Sequence, residues 1–396
     1  DGIWIFHLFI VFQPAQFAIC LQFCIFSGIV DCIGYDFNTK TCNKLLNLCC
    51  ILNIYGSIGI YISSNKAIYT SDLWTIQNFA IPEDTQSLED LQHLTFLKTL
   101  RMDTGPSGQL SHIANLPNLE EIVIYNTVVQ ADELPYLGQL ESLKRLTLQK
   151  CSLSTVAGLD QAKGLVYLNL NDNSLRNILP LSALQNLQEL NLSNNALSDL
   201  LALSGLKNLV SLDVSQNELS SLIPISTVSG LEKLNVANNL LSELTGIAQL
   251  SHLVNLNASD NGITVVSLLA SNTQLSVLNL SNNKIVDISA LSSLNRLTNF
   301  NFSNNKVTAL PAWDKTCTLV NINGTNNLIS SLKPLAGLPH LNNVYMDDNK
   351  AISDVEILKT CPLLIQVNVS RTSVTKNVQV NPLTSMGVIV IYDHKG

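Results

Sequence analysis

Six histidines and nine cysteines are the residues of this 396-residue chain with the widest chemical repertoire. A metal site needs such residues in close pairs, of the C-x2-C or H-x3-H kind, so that neighbouring ligands reach one ion. The cysteines do not fall that way. Cys20 and Cys24 are separated by three residues, Cys49 and Cys50 are adjacent, and His7 is the only imidazole near them. Cys151, Cys317 and Cys361 stand singly. Asp347 and Asp348, beside Asn349, offer a cation two carboxylates but no firm third ligand. Nucleophile and phosphate-binding patterns are missing as well: the sequence has no H-E-x-x-H, G-x-S-x-G, G-x-x-x-x-G-K or C-x-x-C. The expectation is a protein that is not an enzyme and holds neither metal nor cofactor. Charged residues make up 13% of the chain, and the net charge is −8. Phosphate neutralisation requires clustered Lys and Arg, and no basic run exists, so nucleic acid is not an expected partner.

The elements that must position any functional side chain divide the chain near residue 65. Six of the nine cysteines lie in the first 50 residues, and the opening DGIWIFHLFIVF has no Lys or Arg. This apolar stretch and a second one, LLNLCCILNIYGSIGIYI from Leu45 to Ile62, approach the roughly 20 residues of a membrane span. Pro14 and the glutamines at 13, 16 and 22 interrupt the first stretch, and it lacks a basic n-region. Three readings of residues 1–65 stay open: an anchoring or export remnant, a segment not native to the mature protein, or a small Cys-bearing domain.

From residue 76 onward one pattern recurs, L-x-x-L-x-L-x-x-N. Its starts at residues 165, 187, 209, 231, 253, 275, 297, 319 and 341 are all 22 residues apart. Looser copies begin at 76, 97, 119, 143 and 364, which makes fourteen units. Positions four and six alternate, so they face one side of a short strand. A single unit cannot bury that side alone, whereas stacked units form a parallel sheet over a continuous leucine core. In the second half of the unit, as in KIVDISALSSLNRL (284–297), apolar residues recur every three, which suits 3₁₀ turns. The ninth position should form a hydrogen-bonded ladder of Asn173, Asn195, Asn217, Asn239, Asn261, Asn283, Asn305, Asn327 and Asn349. Cys151 occupies the same position in its own unit, which gives it a structural role.

With NKIVDISALSSL (283–294) as its clearest segment, the sequence resembles the internalin-like, 22-residue class of bacterial leucine-rich repeat proteins. The resemblance implies an α/β repeat fold. This is a leucine-rich repeat solenoid with a parallel sheet on the concave face and short 3₁₀ or irregular convex segments. It also implies an extracellular or cell-surface setting, and a protein or glycan ligand on the concave face. The expected organisation is residues 1–65 as the apolar segment, 66–96 as N-terminal cap and first unit, 97–386 as repeats, and 387–396 as capping strand and end. Residues 1–65 do not resemble the helical N-terminal cap of that class, and these 396 residues contain no LPxTG-like motif. Membrane or cell-wall association through the N-terminal segment is the corresponding expectation. The alternatives are a cytoplasmic regulator that docks an enzyme such as a phosphatase, or an adhesive segment of a larger cell-wall protein.

Concave side chains come from positions three, five and seven. In the middle units positions five and seven are mostly Asn, Ser and Thr, and none is Trp, Tyr or Arg, the residues favoured at binding hot spots. Such a stripe suits weak binding or a polar ligand such as a glycan. The pattern breaks at the ends, and the candidate ligand-binding residues are Arg101, Glu121, Tyr125, Arg145, Tyr167 and Glu189 at one end and Tyr345 and Asp347 at the other. Asn-x-Ser/Thr sequons at Asn191, Asn257, Asn279, Asn301, Asn323 and Asn368 all fall at position five, which marks them as by-products of the repeat.

Overall fold

The computed structural model describes Leu73 and residues 76–393 apart from Asp84. The three readings of residues 1–65 fall outside the described residues, as does the start of the expected cap at 66–72. The described chain forms one sheet of fifteen parallel strands in chain order, from β1 (Asn78–Ile81) to β15 (Ile389–Ile391). Each neighbouring pair is in the register that the sequence period dictates. For example, Leu168 of β5 (Tyr167–Asn169) lies beside Leu190 of β6 (Glu189–Asn191).

The core runs along the whole sheet. In the unit that starts at Leu165, the side chains of Leu165, Leu168, Leu170, Leu175, Leu181 and Leu184 are fully buried, and Ile178 nearly so. The convex half turns because its backbone bonds are also spaced by three. Leu181, Leu184 and Leu187 donate in sequence to the carbonyls of Ile178, Leu181 and Leu184 at 2.9–3.1 Å. Three residues per turn put these side chains on one inward edge. Pro180, Pro224 and Pro334 sit in the first turn of their 3₁₀ segments, where the missing N–H has no bond to lose.

Two short α-helices depart from the 3₁₀ expectation: α1 (Leu134–Gly138) and α2 (Asn377–Thr384). The 143 start lies 24 residues after the one at 119, and α1 takes up the additional length. The unit at 297 departs in another way. Trp313 stands in the convex half, buried, and its Nε1 donates to the Leu291 carbonyl at 3.1 Å. It meets Phe300 edge-on at 6.2 Å between ring centres, and Phe300 packs on Phe302 at 4.8 Å. The extra volume is matched by Gly324 in the next unit, where a Cβ would lie 2.5 Å from Phe302 Cζ. Among the described residues no helix is long and apolar enough to cross a membrane.

The position-nine asparagines join each unit to the one before it. Asn239 is typical: its Oδ1 accepts the Leu219 N–H at 2.9 Å, and its Nδ2 donates to the carbonyls of Val214, Val236 and Ala237 at 3.0–3.2 Å. The same set, shifted by 22, recurs at Asn195, Asn217, Asn261, Asn283, Asn305, Asn327 and Asn349. Asn173 accepts from both Cys151 N–H and Leu153 N–H at 3.0 Å. The Cys151 side chain is buried, its Sγ lies 3.5 Å from the Ile124 carbonyl, and desolvation pushes its thiol up to about 12. In the last unit Thr372 holds the ninth position but bonds only within that unit, to the Val369 carbonyl and the Val374 N–H.

Candidate functional site

Strand register brings six of the eight candidate residues into one neighbourhood. Glu121 of β3 (Glu121–Tyr125), Arg145 of β4 (Arg145–Gln149), Tyr167 of β5 and Glu189 of β6 are direct neighbours in four successive strands. Arg145 is the centre of the row. Its Nε lies 3.4 Å from Glu121 Oε1, and its guanidinium carbon stands 4.0 Å from the centre of the Tyr167 ring. A second stack lies diagonally. Arg101 of β2 (Thr99–Met102) stands 5.1 Å over the Tyr125 ring while pairing with Asp103 at 2.9 Å. Arg101, Arg145 and Glu189 are exposed, and Tyr125, Tyr167 and Glu121 are half-buried. The two guanidiniums are thus held in place by a ring and a carboxylate each, with one edge open to solvent.

Tyr345 and Asp347 are not part of this group. They lie on β13 (Asn343–Tyr345) and just beyond it, eight strands from Tyr167, or about 38 Å at the usual strand spacing. Asp347 is also occupied internally. It is 9% exposed, and its carboxylate accepts from Thr325 Oγ1, Asn368 Nδ2 and Arg371 Nη2 at 2.7–3.2 Å. Asp348 accepts from Arg371 Nε at 2.7 Å, and this bond above all holds its carboxyl below the ordinary carboxylate range. Where the sequence offers a cation two carboxylates, the structure fills them with a guanidinium. Arg371 itself sits at turn position eight with φ 55°, outside the strand.

The middle stripe is more constrained than its composition indicates. Each position-five amide oxygen accepts the backbone N–H two residues on: Asn257 from Ser259, Asn279 from Ser281, Asn301 from Ser303 and Asn323 from Thr325, at 3.1–3.2 Å. Ser281 and Ser370 add their hydroxyls to the same oxygens. This bond accounts for Asn at five in the sequon register, and Ala237 makes the same backbone bond to Asn235 without a hydroxyl at seven.

A feature without a counterpart in the sequence reading lies at position eight. Asp172, Asn194, Asn238, Asp260, Asn282, Asn304, Asn326 and Asp348 all have φ between 53° and 58°. Asn and Asp tolerate this left-handed region better than other side chains with a Cβ. From there several form a second, outer ladder. Asn194 donates to Asp172, Asn282 to Asp260, Asn304 to Asn282 and Asn326 to Asn304, at 2.6–2.9 Å. Asp172, which also accepts from Gln149 and Asn171 at 2.9 Å, has its carboxyl lowered, chiefly by Asn194. The sequence signal was the recurrence of Asn or Asp at that position.

Comparisons with known proteins agree with this architecture. The family models described as Leucine Rich repeats (2 copies) match residues 251–293 and 273–315, and the one described as Leucine Rich Repeat matches 186–206. No curated protein matches the sequence. Among solved structures, an internalin, InlF, of Listeria monocytogenes is similar with a TM-score of 0.69 and 22% identity, over 85% of this chain and 92% of that one. A leucine-rich repeat protein of Leptospira interrogans gives 0.72 and 21%, over 81% and 85%. The plant peptide hormone receptor RGFR1, solved in complex with RGF2, gives 0.55 and 21%, over 73% of this chain and 57% of the receptor. Period, register, asparagine ladder and these matches together show a leucine-rich repeat fold, a solenoid similar to that of the internalin InlF.

Proposed function

We propose that this protein is a non-catalytic recognition module that binds a protein partner through the N-terminal part of its concave sheet, at a bacterial cell surface. The observation that carries the reading is the pair of Arg–Tyr stacks at Arg101–Tyr125 and Arg145–Tyr167. Tyr and Arg dominate binding hot spots because they add large contact area and directional donors. Here each arginine is already ordered by a ring and a carboxylate, so binding freezes few additional rotamers. The repeat scaffold and the peptide-bound plant receptor among its structural neighbours support a protein ligand. The test is affinity capture from the organism's surroundings with the full chain and with a Tyr125→Ala/Arg145→Ala/Tyr167→Ala variant. A partner retained equally by both refutes the site. Fractionation with surface proteolysis tests the location, and a purely cytosolic signal rejects it.

A glycan is the second reading, favoured by the middle stripe. With their oxygens committed to turns, Asn257, Asn279, Asn301 and Asn323 present their Nδ2 groups as a row of donors about 4.8 Å apart. Binding on a glycan array that Asn279→Ala/Asn301→Ala abolishes, and the triple variant leaves intact, would replace the first reading with this one.

A further inference from the structure

The row of position-three side chains continues past Glu189. Ser211 of β7 (Ser211–Asp213) lies directly beside Glu189, and Lys233 of β8 (Lys233–Asn235) directly beside Ser211. From Arg145 across the sheet the row therefore runs cation, ring, anion, small residue, cation: Arg145, Tyr167, Glu189, Ser211 and Lys233. All three charged residues are exposed. Arg145 gives only its Nε to Glu121, so Nη1 and Nη2 are open. The side chains of Glu189 and Lys233 hold no hydrogen bond or ion pair among the described residues. Neighbouring charges are two strands apart, about 9.6 Å, and the outer two about 19 Å. The adjoining position-five row adds two donors. Asn169 and Asn191 commit their Oδ1 atoms to the Asn171 and Ser193 N–H groups at 3.1 and 2.9 Å, and their half-buried amides keep Nδ2 to offer.

We infer that the protein partner presents a proline-rich segment in the polyproline II conformation, laid along this row, with an acidic, a basic and an acidic residue at every third position. The inference rests on the N-terminal concave sheet being the binding surface, and adds the chemistry that this surface reads. Spacing selects the conformation. Polyproline II repeats every three residues at a rise of about 3.1 Å, so residues i, i+3 and i+6 share one face at intervals of about 9.3 Å. A β-strand returns to the same face after two or four residues, at about 6.7 or 13 Å, and meets the row out of step. An α-helix returns after seven, at about 10.5 Å, and has drifted by about 2 Å at the third charge. Charge selects the order: acidic over Arg145, basic over Glu189, acidic over Lys233. The free amide donors select proline, whose carbonyl accepts while its nitrogen has nothing to donate. The Tyr167 ring lies between the first two charges, and aromatic surfaces are where such segments dock.

The probes are three synthetic peptides of one composition and one net charge, PPEPPRPPEPP, PPEPPEPPRPP and PPPEPRPEPPP. Binding to the full chain is read by fluorescence anisotropy, with far-UV circular dichroism to establish folding. The first peptide matches the row in order and spacing. Wild type should bind it about threefold more tightly than the second, the worth of one exposed ion pair, because a shift by one turn rescues the other contacts. The third keeps the order but closes the spacing, and should bind no better than the second. Glu189→Lys/Lys233→Glu exchanges two exposed, unpaired charges without changing the net charge, and should reverse the preference between the first two peptides by a similar factor. Wild type that fails to prefer the first peptide over either of the others overturns the proposal, as does a variant that keeps the wild-type preference. The two readings fail separately. If the peptides fail while the Tyr125→Ala/Arg145→Ala/Tyr167→Ala variant still loses a captured partner, the surface stands and this chemistry falls; a partner retained by that variant refutes the surface itself.

Discussion

Replacing Asn239 by Ala is the sharpest probe of what holds consecutive units together. The side chain makes four hydrogen bonds, yet their loss is unequal. Each acceptor carbonyl keeps a second donor: Val214 keeps Asn217 Nδ2, Val236 keeps Asn261 Nδ2, and Ala237 keeps the Gln216 N–H, at 2.9–3.1 Å. The Leu219 N–H has only Asn239 Oδ1, and Leu219 is fully buried. An orphaned buried donor costs about 1–3 kcal/mol, and the small void left by the amide adds to it, so the expected loss is about 2–4 kcal/mol. Asn235→Ala, at half-exposed position five, should cost less, about 0.5–1.5 kcal/mol. Unfolding of a repeat array is not guaranteed to be two-state, so denaturant melts should be paired with amide hydrogen exchange. Exchange should accelerate most at Leu219. A loss below about 0.5 kcal/mol would refute the single-donor argument. So would protection at Leu219 that remains unchanged.

Gly324→Ala should destabilise the protein by about 1–3 kcal/mol, since its Cβ would meet both Phe302 and Met346 Sδ, and Phe302→Leu should recover most of that in a denaturant melt. Cys151, with its thiol pushed up to about 12 by burial, should resist iodoacetamide at pH 8 in the native protein and react on unfolding; rapid native alkylation, read by mass spectrometry, would contradict its buried placement. Asp348 has a folded pKa below its unfolded value, so its contribution is present above about pH 4 and is lost as pH falls through the folded value. Arg371→Ala should therefore flatten the acid-side fall of the melting temperature, and an unchanged pH profile would show that the pair contributes nothing.

The fold was legible because two periods reinforce each other. Alternation at positions four and six gives the strand, and the 22-residue recurrence puts every strand beside its predecessor. The cluster around Arg145 was only half legible. Its members could be placed on one face from their positions, but the stack on Tyr167 depends on contact between neighbouring strands, and the stack of Arg101 on Tyr125 is a diagonal that no spacing rule gives. Asp347 was misread for the same reason. Its strand position pointed to the open face, while three donors from units on either side enclose it. The turn bonds of the position-five asparagines were not legible, because their backbone partners are invisible in side-chain types alone.

The missing rung at Thr372 gives the solenoid a mechanical polarity. Interior asparagines fasten each coil to the one before it through bonds closed to water, so pulling on an interior coil must strip several at once. The junction between β13 and β14 (Gln366–Asn368) has no such rung, and beside its backbone bonds it is crossed by Arg371, 54% exposed, in ion pairs with Asp347 and Asp348 at 2.9 and 2.6 Å. Bonds of that kind are screened by salt. Under load the molecule should peel from its C-terminal coil inward, at a force that falls as ionic strength rises, while the interior coils yield at a force indifferent to salt.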